Sequence, residues 1–455
     1  MSTTNVFFGI LSGGAGTRLW PISRKNAPKQ FAQFSSDDPL LIETIKRIEK
    51  IGYVSLLTTE ALRTQTQGLL NRFAINAEII AEPSPQNTAP IIALFNELCY
   101  RKNKNSVLCI LPADHSIHPV ENFRADIQKA IKIAENKKIV TLGIPPREAS
   151  SAYGYIEVKG SGEQISVKKF TEKPHLAKAQ ELIKNSALWN AGMFIFHTET
   201  FREALKKYSP EIFNETEKLK TDLSNLKEVY SKLPSISIDY ALMEKLDNLE
   251  CVKASFNWSD LGSWEEVASK DKEPHKISQI TAHSNYYTGT NNIPKTVAFV
   301  GVDDLIAVDT PDSLLIMKKG FGQDVKSLVD ELKKSKPKVT EDHAFEDRPW
   351  GRFQILLDTP LFKSKLISVW PGQRLSYQSH NHRREHWIIV EGEGEFTLNG
   401  EKRAVKSGDH LFIPLGAKHR IANNSQAKLE FVEVQQGSYF GEDDIIRYDD
   451  DYGRS

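Results

Sequence analysis

The stretch LSGGAGTRLWPISRKNAPKQF, residues 11–31, follows a six-residue apolar run, Val6–Leu11. The run has the length and composition of a β-strand. The glycines that come next, Gly13, Gly14 and Gly16, allow the backbone to approach a ligand closely and to offer N–H groups to phosphate oxygens. Four cations lie within the same stretch: Arg18, Arg24, Lys25 and Lys29. The sequence therefore predicts a strand and a loop that binds a nucleoside triphosphate.

Two common phosphate-binding loops do not fit this stretch. A P-loop requires G-x-x-x-x-G-K-[ST], and no lysine directly follows Gly14 or Gly16. A Rossmann dinucleotide loop requires G-x-G-x-x-G, and its last position is occupied here by Leu19. The pattern that remains is G-x-G-x-R, which contains Thr17, followed by P-K, which ends at Lys29. A glycine turn with a solvated basic face is the alternative interpretation.

The words RLWP (18–21), SR (23–24) and PKQF (28–31) resemble the bifunctional mannose-1-phosphate guanylyltransferase/mannose-6-phosphate isomerase family. The related glucose-1-phosphate uridylyl- and thymidylyltransferases usually lack LW and QF. The resemblance covers nearly the whole chain, and it implies two active sites. One would join GTP and mannose 1-phosphate into GDP-mannose and pyrophosphate, and the other would interconvert mannose 6-phosphate and fructose 6-phosphate.

Composition limits the class of partner. The chain has 455 residues, with 59 basic and 59 acidic side chains, so its formal net charge is zero. This balance argues against nucleic acid or an acidic membrane surface as a partner. Cys99, Cys109 and Cys251 lie in apolar contexts and in no metal-binding spacing, which predicts buried, reduced thiols. Since no run resembles a signal peptide or a membrane span, we expect a cytoplasmic protein.

Strand and helix patterns alternate along residues 1–270. The alternation predicts a mixed, mostly parallel α/β sheet with helices on both faces, which the resemblance identifies as the Rossmann-like fold of nucleotide-diphospho-sugar transferases. Residues 271–336 read as a small β module with one amphipathic helix, and the lysine-rich segment 333–340 reads as a linker. Residues 337–455 are mostly β, which predicts a C-terminal cupin barrel of the jelly-roll type.

Nucleotidyl transfer needs a sugar-phosphate oxygen in line with the α-phosphorus of the triphosphate, together with neutralisation of charge. Asp114 in LPADH follows a predicted strand, and Asp260 in WSDLGSW is a second carboxylate of the same type. Carboxylate oxygens are suitable ligands for Mg²⁺. The resemblance places the two aspartates opposite each other and assigns the phosphates to Arg18 and Lys29. A helix N-cap is the alternative role for each aspartate.

Three further segments resemble ligand-binding segments of the family. The segment PQNTAP resembles the part that contacts the base, and it contributes Gln86, Asn87 and Thr88. The sugar-phosphate segments contribute Gly154, Tyr155, Glu172, Lys173 and Asn190. The resemblance assigns Lys173 to the phosphate of mannose 1-phosphate and Glu172 to the sugar hydroxyls. Thr171 replaces a more usual valine and leaves both charges in place, whereas a solvated surface pair is the alternative interpretation.

A second set of motifs lies in the last part of the chain. Residues 372–392 have the spacing of the first cupin motif, with Gln378 in place of the first histidine, and residues 408–423 match the second motif. Residues i and i+2 of a strand share a face, so Gln378 and His380 are expected to point into the barrel together. The predicted ligands of Zn²⁺ or another divalent metal are Gln378, His380, Glu385 and His419. An iron or manganese dioxygenase and a metal-free cupin are the alternatives.

Arginines surround this predicted metal site in sequence. Arg374, Arg383 and Arg420 suit a phosphate monoester, because a guanidinium pairs with two phosphate oxygens, and ion pairs at the rim are the alternative. The resemblance implies aldose–ketose isomerisation, which needs a base that moves a proton between C1 and C2. Arg374 and His382 are the predicted catalytic residues here, and a glutamate near Glu393 is a second candidate for the base.

Two other functions fit the same motifs. In the first, only the guanylyltransferase is active, and the cupin serves as an oligomerisation or regulatory module. In the second, the transferase uses another sugar phosphate or another nucleotide base. A homo-oligomer is expected in each case. The metal content of the cupin distinguishes the first alternative from a bifunctional enzyme. A comparison of nucleotides distinguishes the second.

Overall fold

The first part of the chain forms a nine-stranded mixed sheet, seen in a computed structural model that describes residues 5–14, 16–34, 36–160, 165–271, 274–290 and 295–451. The strands of this part are β1 Asn5–Leu11, β2 Tyr53–Thr59, β3 Glu78–Glu82, β4 Ser106–Pro112, β5 Ser116–His118, β6 Ile139–Ile144, β7 Gly154–Lys159, β8 Ile165–Thr171, β9 Leu188–His197, β10 Leu249–Lys253 and β11 Asn257–Ser259. The sheet order is β3-β2-β1-β4-β9-β6-β10-β8-β7, and β5 pairs with β11 in a separate ribbon. β1 is parallel to β2 and β4, whereas β9 is antiparallel to β4 and β6.

Helices cover both faces of the sheet. They are α1 Leu40–Ile48, α2 Arg63–Arg72, α3 Thr88–Lys102, α4 Val120–Glu135, α5 Leu176–Lys184, α6 Thr198–Tyr208, α7 Pro210–Glu217, α8 Leu226–Ser231, α9 Ile238–Ala241 and α10 Trp264–Lys270. Since successive side chains of a strand point to opposite faces, β1 sends Phe8 and Ile10 into one core and Phe7 towards the other. Each large apolar side chain that is buried in this way contributes about 1.5–3 kcal/mol.

The small β module packs on the glycine-rich stretch of the first domain. Its elements are β12 Ser278–Ile280, β13 Tyr286–Gly289, β14 Ala298–Val300, β15 Leu305–Thr310, β16 Ser313–Lys318, α11 Val325–Ser335 and α12 Lys338–Glu341. One apolar core contains Ile306 and Val325 from the module together with Leu19, Trp20 and Trp264 from the first domain. The indole Nε1 of Trp264 donates to the carbonyl oxygen of Trp20 at 2.9 Å. The module therefore supports the residues on either side of the predicted nucleotide loop.

The lysine-rich segment 333–340, which is expected to act as a linker, is helical over most of its length. α11 continues to Ser335, and α12 begins directly after Pro337, where the chain changes direction. The backbone of this region is bonded to the glycine-rich stretch, because Lys25 N donates to Thr340 O at 3.0 Å and Asn26 N donates to Glu341 O at 2.9 Å. These contacts attach the end of the β module to the first domain.

The last part of the chain is a two-sheet β barrel, as expected for a cupin. Its strands are β17 Phe345–Arg348, β18 Gly351–Asp358, β19 Phe362–Val369, β20 Tyr377–His380, β21 Arg383–Glu391, β22 Glu393–Leu398, β23 Glu401–Lys406, β24 His410–Ile413, β25 His419–Ala422, β26 Leu429–Gly437 and β27 Ile445–Asp449. The sheets have the orders β17-β18-β19-β26-β21-β24 and β23-β22-β25-β20-β27. Their inner faces enclose a core that includes Trp387, Phe396 and Phe431. The predicted fold class is confirmed.

Two expectations from composition can be compared with the fold. Cys99, Cys109 and Cys251 are buried free thiols, and burial raises the pKa of each, to about 12 for Cys99. Such thiols are poor nucleophiles at neutral pH. Within the described part of the chain, no helix is both long and apolar enough to cross a bilayer.

Candidate active sites

Three of the predicted transferase residues meet at the ends of two neighbouring strands. β1 and β4 are parallel, with Leu11 beside Pro112, so the loops that follow them lie at the same edge of the sheet. The Nζ atom of the buried Lys29 lies 2.7 Å from Asp114 Oδ2 and also donates to the carbonyl oxygen of Asp260. Burial favours a higher pKa for Asp114, but the charge of Lys29, together with His115 and the hydrogen bonds to the carboxylate, lowers this pKa below its ordinary value.

Asp260 lies in a network of acidic and phenolic groups. The Tyr153 hydroxyl donates to Asp260 Oδ1 at 2.7 Å, and Glu266 accepts from Gly262 N at 2.8 Å. Burial, followed by the charge of Asp260, raises the pKa of Glu266. Neither Tyr153 nor Glu266 was found from the sequence, because neither lies in one of the predicted site motifs. Lys29 brings Asp114 and Asp260 together, and their carboxylate oxygens are the type of ligand that a divalent cation prefers.

The helix-cap alternative fails for both aspartates. The N-cap of α10 is Ser263, whose hydroxyl accepts from Glu266 N at 3.4 Å. Asp114 is followed by strand β5 rather than by a helix. Its neighbour His115 is held within the fold, since burial lowers the pKa of His115 to about 4 and Trp258 Nε1 donates to its Nδ1 at 3.0 Å.

The glycine loop has the backbone that phosphate binding requires. Gly13 and Gly14 are exposed, and a Cβ on either would contact nothing within 4 Å. Gly16 has φ +58°, and a Cβ there would lie 2.6 Å from Lys29 Cβ, so only glycine fits. Thr17 begins a single helical turn. From this turn, Arg18 Nη1 donates to Gln323 Oε1 of the β module at 3.0 Å. The loop is thus accessible at its tip and fixed at its base.

Arg24 has a structural role, which differs from the expectation that its charge faces phosphate. Its side chain is fully buried, and its two Nη atoms lie 2.7 and 2.6 Å from the two oxygens of Asp312 in the β module. Its Nη1 also donates to the carbonyl oxygen of Asp342, and His343 Nε2 bonds to Ile22 O at 2.7 Å. We call this arrangement of Arg24, Asp312 and residues 340–343 the module clamp.

Loss of Asp312 is expected to destabilise the protein through the module clamp. Asp312→Ala leaves the Arg24 guanidinium buried without its counter-ion, which costs about 3 kcal/mol. Thermal and urea unfolding of the variant would show this loss. Glu60→Ala is a matched control, because Glu60 pairs with Arg63 at a similar distance of 2.9 Å but on the surface, and its effect is expected to be below about 1 kcal/mol. Equal losses in the two variants would contradict this account.

The predicted base-contacting segment lies at the start of α3. Asn87 has φ +68°, and its Oδ1 accepts from Thr88 N at 2.9 Å, which caps the helix. The Thr88 hydroxyl accepts from Ile238 N at 2.9 Å, so α3 and α9 are joined at this point. The Oε1 atom of Gln86 is buried and has no hydrogen-bond partner among the described residues. An unsatisfied acceptor of this kind fits a ligand with an N–H group.

The predicted sugar residues converge, with one addition. Lys173 Nζ lies 3.2 Å from Glu172 Oε1, and Glu172 Oε2 lies so close to Gly154 that a Cβ there would collide with it. Asn190 Nδ2 donates to Asp239 Oδ1 at 2.9 Å. Asp239 was missed, because the segment SISIDYA reads only as a capped helix start. Burial, followed by the charge of Glu172, raises the pKa of Asp239 to about 6.

Tyr155 is placed differently from the expectation, since its side chain lies in the core and is fully buried. Its hydroxyl donates to Ser150 O at 3.0 Å and accepts from Ser150 N at 3.0 Å. The alternation of strand β7 explains this position, because Gly154 and Tyr155 point to opposite faces of the sheet. Tyr155 therefore positions the loop at Ser150 rather than offering its phenol to a ligand.

The raised pKa of Asp239 predicts a pH dependence of stability. The pKa of Asp239 in the folded protein is about 6 against an ordinary value of 3.8. Its stabilising contribution to the free energy of unfolding is therefore fully present below pH 3.8 and is lost as the pH rises through 6. Asp239→Asn removes this loss. Relative to the unaltered protein, the variant is therefore expected to gain up to about 3 kcal/mol between acidic and neutral pH. Urea unfolding across this range measures the difference, and a constant difference would contradict the prediction.

Three predicted metal ligands meet inside the barrel. His380 Nε2 lies 3.2 Å from Glu385 Oε1, His419 Nε2 lies 3.5 Å from Glu385 Oε2, and all three side chains are buried. One ligand atom from each lies within 4.8 Å of the others. His419 Nδ1 bonds to Ala417 O at 3.0 Å, which directs Nε2 towards the other two residues. Among the residues that the structure describes, Nε2 of neither histidine has a hydrogen-bond partner, so the set fits a divalent metal.

The predicted amide ligand lies beside this triad. Gln378 is opposite His419 in the strand register, and its Oε1 accepts from the Ser376 hydroxyl at 2.8 Å. Behind Glu385, three donors hold the carboxylate: Arg383 Nε at 3.1 Å, Trp387 Nε1 at 3.1 Å and Gln435 Nε2 at 3.2 Å. Such outer contacts fix the orientation of a ligand. Despite burial, the two histidines and Arg383 keep the pKa of Glu385 well below its ordinary value.

The cationic residues of the barrel cavity differ from those expected. Arg383 lines the cavity, and three cations missed from the sequence join it: Arg348, Lys365 and Arg447. Arg374 does not line it, because its Nε and Nη2 atoms each lie 2.6 Å from Asp451 in the C-terminal tail. Arg420 is likewise paired with Asp449, at 2.7 Å. Arg374 and Arg420 therefore form the ion pairs at the rim that were the alternative interpretation.

The two candidate bases also lie outside the cavity. His382 is exposed, and its Nδ1 is 2.7 Å from Asp444 Oδ1. Glu393 is exposed as the first residue of β22, opposite Lys406. The cavity is lined instead by Glu433, which accepts from Trp387 Nε1 at 3.2 Å and from Gln435 Nε2 at 2.9 Å. Burial, followed by the charge of Glu385, raises the pKa of Glu433 to about 8.

Comparisons with known proteins cover the whole chain. Family models match residues 9–275 as nucleotidyl transferase, 281–332 as a MannoseP isomerase/GMP-like beta-helix domain, and 335–450 as the mannose-6-phosphate isomerase C-terminal domain. A mannose-1-phosphate guanylyltransferase of Klebsiella pneumoniae is 36% identical over 98% of this chain and 99% of its own length. The alginate biosynthesis protein AlgA of Pseudomonas aeruginosa is 36% identical over 98% and 97%.

A solved structure agrees with these relatives. The crystal structure of mannose-1-phosphate geranyltransferase from Thermus thermophilus has a TM-score of 0.65 and 28% identity, and the match covers 72% of this chain and all of that one. The family models span the transferase, the β module and the cupin in the order found here. The chain belongs to the mannose-1-phosphate guanylyltransferase family whose members end in a mannose-6-phosphate isomerase domain.

Proposed function

We propose that the chain catalyses two steps of GDP-mannose synthesis: formation of GDP-mannose and pyrophosphate from GTP and mannose 1-phosphate, and interconversion of mannose 6-phosphate and fructose 6-phosphate. The observation that carries the first activity is the contact of Lys29 with both Asp114 and Asp260 beside an accessible glycine loop. The full-length similarity to guanylyltransferases supports the choice of GTP and mannose.

In the transferase, a phosphate oxygen of mannose 1-phosphate attacks the α-phosphorus of GTP. The bond from that phosphorus to the bridging oxygen breaks, and pyrophosphate leaves with the electron pair. We assign charge neutralisation to Arg18 and Lys29, and backbone N–H contacts to Gly13, Gly14 and Gly16. The guanine base is assigned to Gln86, Asn87 and Thr88. Positioning of this kind needs no protein nucleophile.

Asp114 and Asp260 would hold Mg²⁺ in this site. The metal would supply charge neutralisation at the phosphates. On the sugar side, Glu172, Asn190 and Asp239 present hydrogen-bonding groups to the hydroxyls of mannose, and the exposed ammonium of Lys173 can turn to the sugar phosphate. Gly154 gives this pocket room, since a side chain there would displace Glu172.

In the cupin, His380, Glu385 and His419, with Gln378 beside them, would hold Zn²⁺ or another divalent metal. The metal would stabilise the oxyanion that develops as the proton moves between C1 and C2. We assign that proton transfer to the Glu433 carboxylate, because it lines the same cavity as Gln378. Arg348, Lys365, Arg383 and Arg447 give the cavity the positive charge that a sugar phosphate requires.

A comparison of nucleotides tests the first activity. With Mg²⁺ and mannose 1-phosphate, release of pyrophosphate is expected from GTP at a kcat/KM at least about 100-fold above that for UTP, dTTP and ATP, since another base presents its N–H donors at different positions relative to the Gln86 Oε1 acceptor. Preference for another nucleotide, or for another sugar phosphate, would keep the fold and overturn the proposed substrates. Bound metal and isomerase activity in the same preparation decide whether the cupin is an enzyme or a module.

We further propose a homo-oligomer in the cytoplasm. The outer face of β21 and β24 exposes Ile388, Val390 and Phe412, each about 45% accessible (46%, 45% and 45%). Neighbouring apolar side chains on one face are typical of a surface that another protein covers. Light scattering of the purified protein measures the oligomeric state, and a monomer at micromolar concentration would contradict this part of the proposal.

A further inference from the structure

The β module brings the side chain of Gln323 to the base of the glycine loop. Gln323 lies in the turn between β16 and α11, and its Oε1 accepts from Arg18 Nη1 at 3.0 Å. α11 packs on the same stretch, since Val325 and Val329 share an apolar core with Leu19. The module therefore contacts directly a residue to which we assign the phosphates of GTP.

The turn that carries Gln323 is fixed by the first domain. Glu265 Oε1 accepts from Gly320 N at 3.0 Å and from Gly322 N at 2.9 Å. Gly322 leaves no room for a side chain, because a Cβ there would collide with Glu265 Oε2. Glu265 is the second residue of α10, so the helix that closely follows Asp260 also places Gln323.

Arg18 lies close to the network of the predicted metal ligand Asp260. The Tyr153 hydroxyl donates to Asp260 Oδ1 at 2.7 Å. Burial, followed by the charge of Asp260, raises the pKa of Tyr153, whereas the nearby charge of Arg18 acts in the opposite direction. The half-buried Arg18 has no acidic partner within the described part of the chain. Its positive charge is therefore available to a phosphate.

The β module contacts two arginines of this stretch in different ways. Arg24 is fully buried, and the carboxylate of Asp312 neutralises it at 2.6 Å. Arg18 instead bonds to a neutral amide, which directs the guanidinium and leaves its charge uncompensated. A carboxylate at position 323 would form a charge-assisted pair with Arg18 and compete with phosphate. Glutamine at this position therefore fits a residue that orients a cation for an anionic ligand.

We propose that Gln323 is a positioning residue of the transferase: it holds Arg18 in the direction of the triphosphate, so that the β module completes the nucleotide site. This inference rests on the proposed function. Gln323 acts through Arg18 and takes no part in the transfer itself. A change to glutamate keeps the contact but cancels the charge, whereas a change to alanine removes the contact and keeps the charge.

Steady-state kinetics of Gln323→Glu and Gln323→Ala test the proposal. Gln323→Glu is expected to lower kcat/KM for GTP by at least about tenfold, because Arg18 then pairs with the new carboxylate rather than with phosphate. Gln323→Ala is expected to lower it at most about fivefold, which is the usual effect of one exposed hydrogen bond. A merely structural contact predicts the opposite order, since glutamate preserves the shape of the side chain. That opposite order, or equal values in the two variants, would overturn the proposal.

Gln279→Glu is the matched control. Gln279 lies in the same module and also accepts at 3.0 Å, but from the neutral amide of Asn285, so kcat/KM is expected to change less than about twofold. In an Arg18→Ala background, Gln323→Glu is expected to have no further effect, since two residues that act through one contact are not additive. A further loss in that background would show that Gln323 acts by another route and would overturn the proposal.

The unaltered protein separates this inference from the proposed function. Absence of GDP-mannose formation from GTP and mannose 1-phosphate would contradict the proposed function. Normal turnover that Gln323→Glu leaves unchanged would contradict the role of Gln323 alone. Thermal unfolding of each sample shows that a loss of rate is not a loss of fold.

Discussion

Lys29→Ala is expected to lower kcat for pyrophosphate release by about 10²–10³-fold, the usual loss when a charge-stabilising group is removed from such a site. The buried Lys29 ammonium contacts Asp114 and the Asp260 carbonyl at once. Its removal would therefore take away the phosphate contact that we assign to Lys29, and it would also disturb both predicted metal ligands. Asp114→Asn is expected to give a loss of similar size. Coupled pyrophosphate detection measures both effects.

Lys25→Ala is the control for this prediction. Lys25 lies four residues before Lys29, but its ammonium is exposed and pairs with Glu341 at 2.9 Å. Its loss is expected to change the rate less than about twofold, since a surface pair contributes at most about 1 kcal/mol. Thermal unfolding, measured on the same samples, reports whether each variant is folded. A rate for Lys29→Ala within tenfold of the unaltered protein would show that Lys29 is not a phosphate ligand.

His380→Ala is expected to abolish metal binding in the cupin and isomerisation with it. The triad provides one ligand atom from each of His380, Glu385 and His419, all buried. Loss of one of three protein ligands is expected to weaken metal binding by at least about 100-fold, more than loss of an outer-shell contact. Metal analysis should find less than about 0.1 equivalent per chain after dialysis. The transferase rate should remain unchanged.

His382→Ala provides the matched control, two residues away. His382 is exposed and bonded to Asp444, so the variant is expected to keep its metal. Retention of metal by His380→Ala would show that the triad is not the metal site. Loss of metal in both variants would instead show that His382 reaches the barrel. Chelation with EDTA should reproduce the loss of isomerase activity in the unaltered protein, and added Zn²⁺ or another divalent metal should restore it.

Local motifs explain most of what could be predicted from the sequence. The glycine loop and Asp114 directly follow β1 and β4, and the parallel pairing of these strands brings them to one edge of the sheet, where Lys29 of the same motif joins them. The cupin ligands likewise depend on strand alternation within short segments. Features of this kind are encoded within about ten residues of the chain, and period and spacing reveal them.

The errors at the arginines share one physical cause, which is pairing between distant segments, whereas the error at Tyr155 comes from the alternation of β7. Arg24 reads as a phosphate ligand until Asp312 is seen beside it, 288 residues further along the chain. Arg374 and Arg420 lie in the cupin motifs, but the C-terminal tail neutralises them at the surface. Lys365, by contrast, belongs to no motif and reaches the cavity because β19 lies beside β26 in the sheet. Charge patterning alone does not indicate which cation has a partner.

The module clamp sets the order in which the chain becomes competent during synthesis. The hydrogen bonds that join residues 22–26 to residues 340–343 can form only when the latter have left the ribosome. The nucleotide loop is therefore among the first segments to be translated and among the last of its own domain to be fixed. A fragment that ends after residue 343 keeps the clamp, whereas one that ends at residue 270 lacks it. We expect fragment 1–343 to be an active transferase without its barrel, and fragment 1–270 to be inactive.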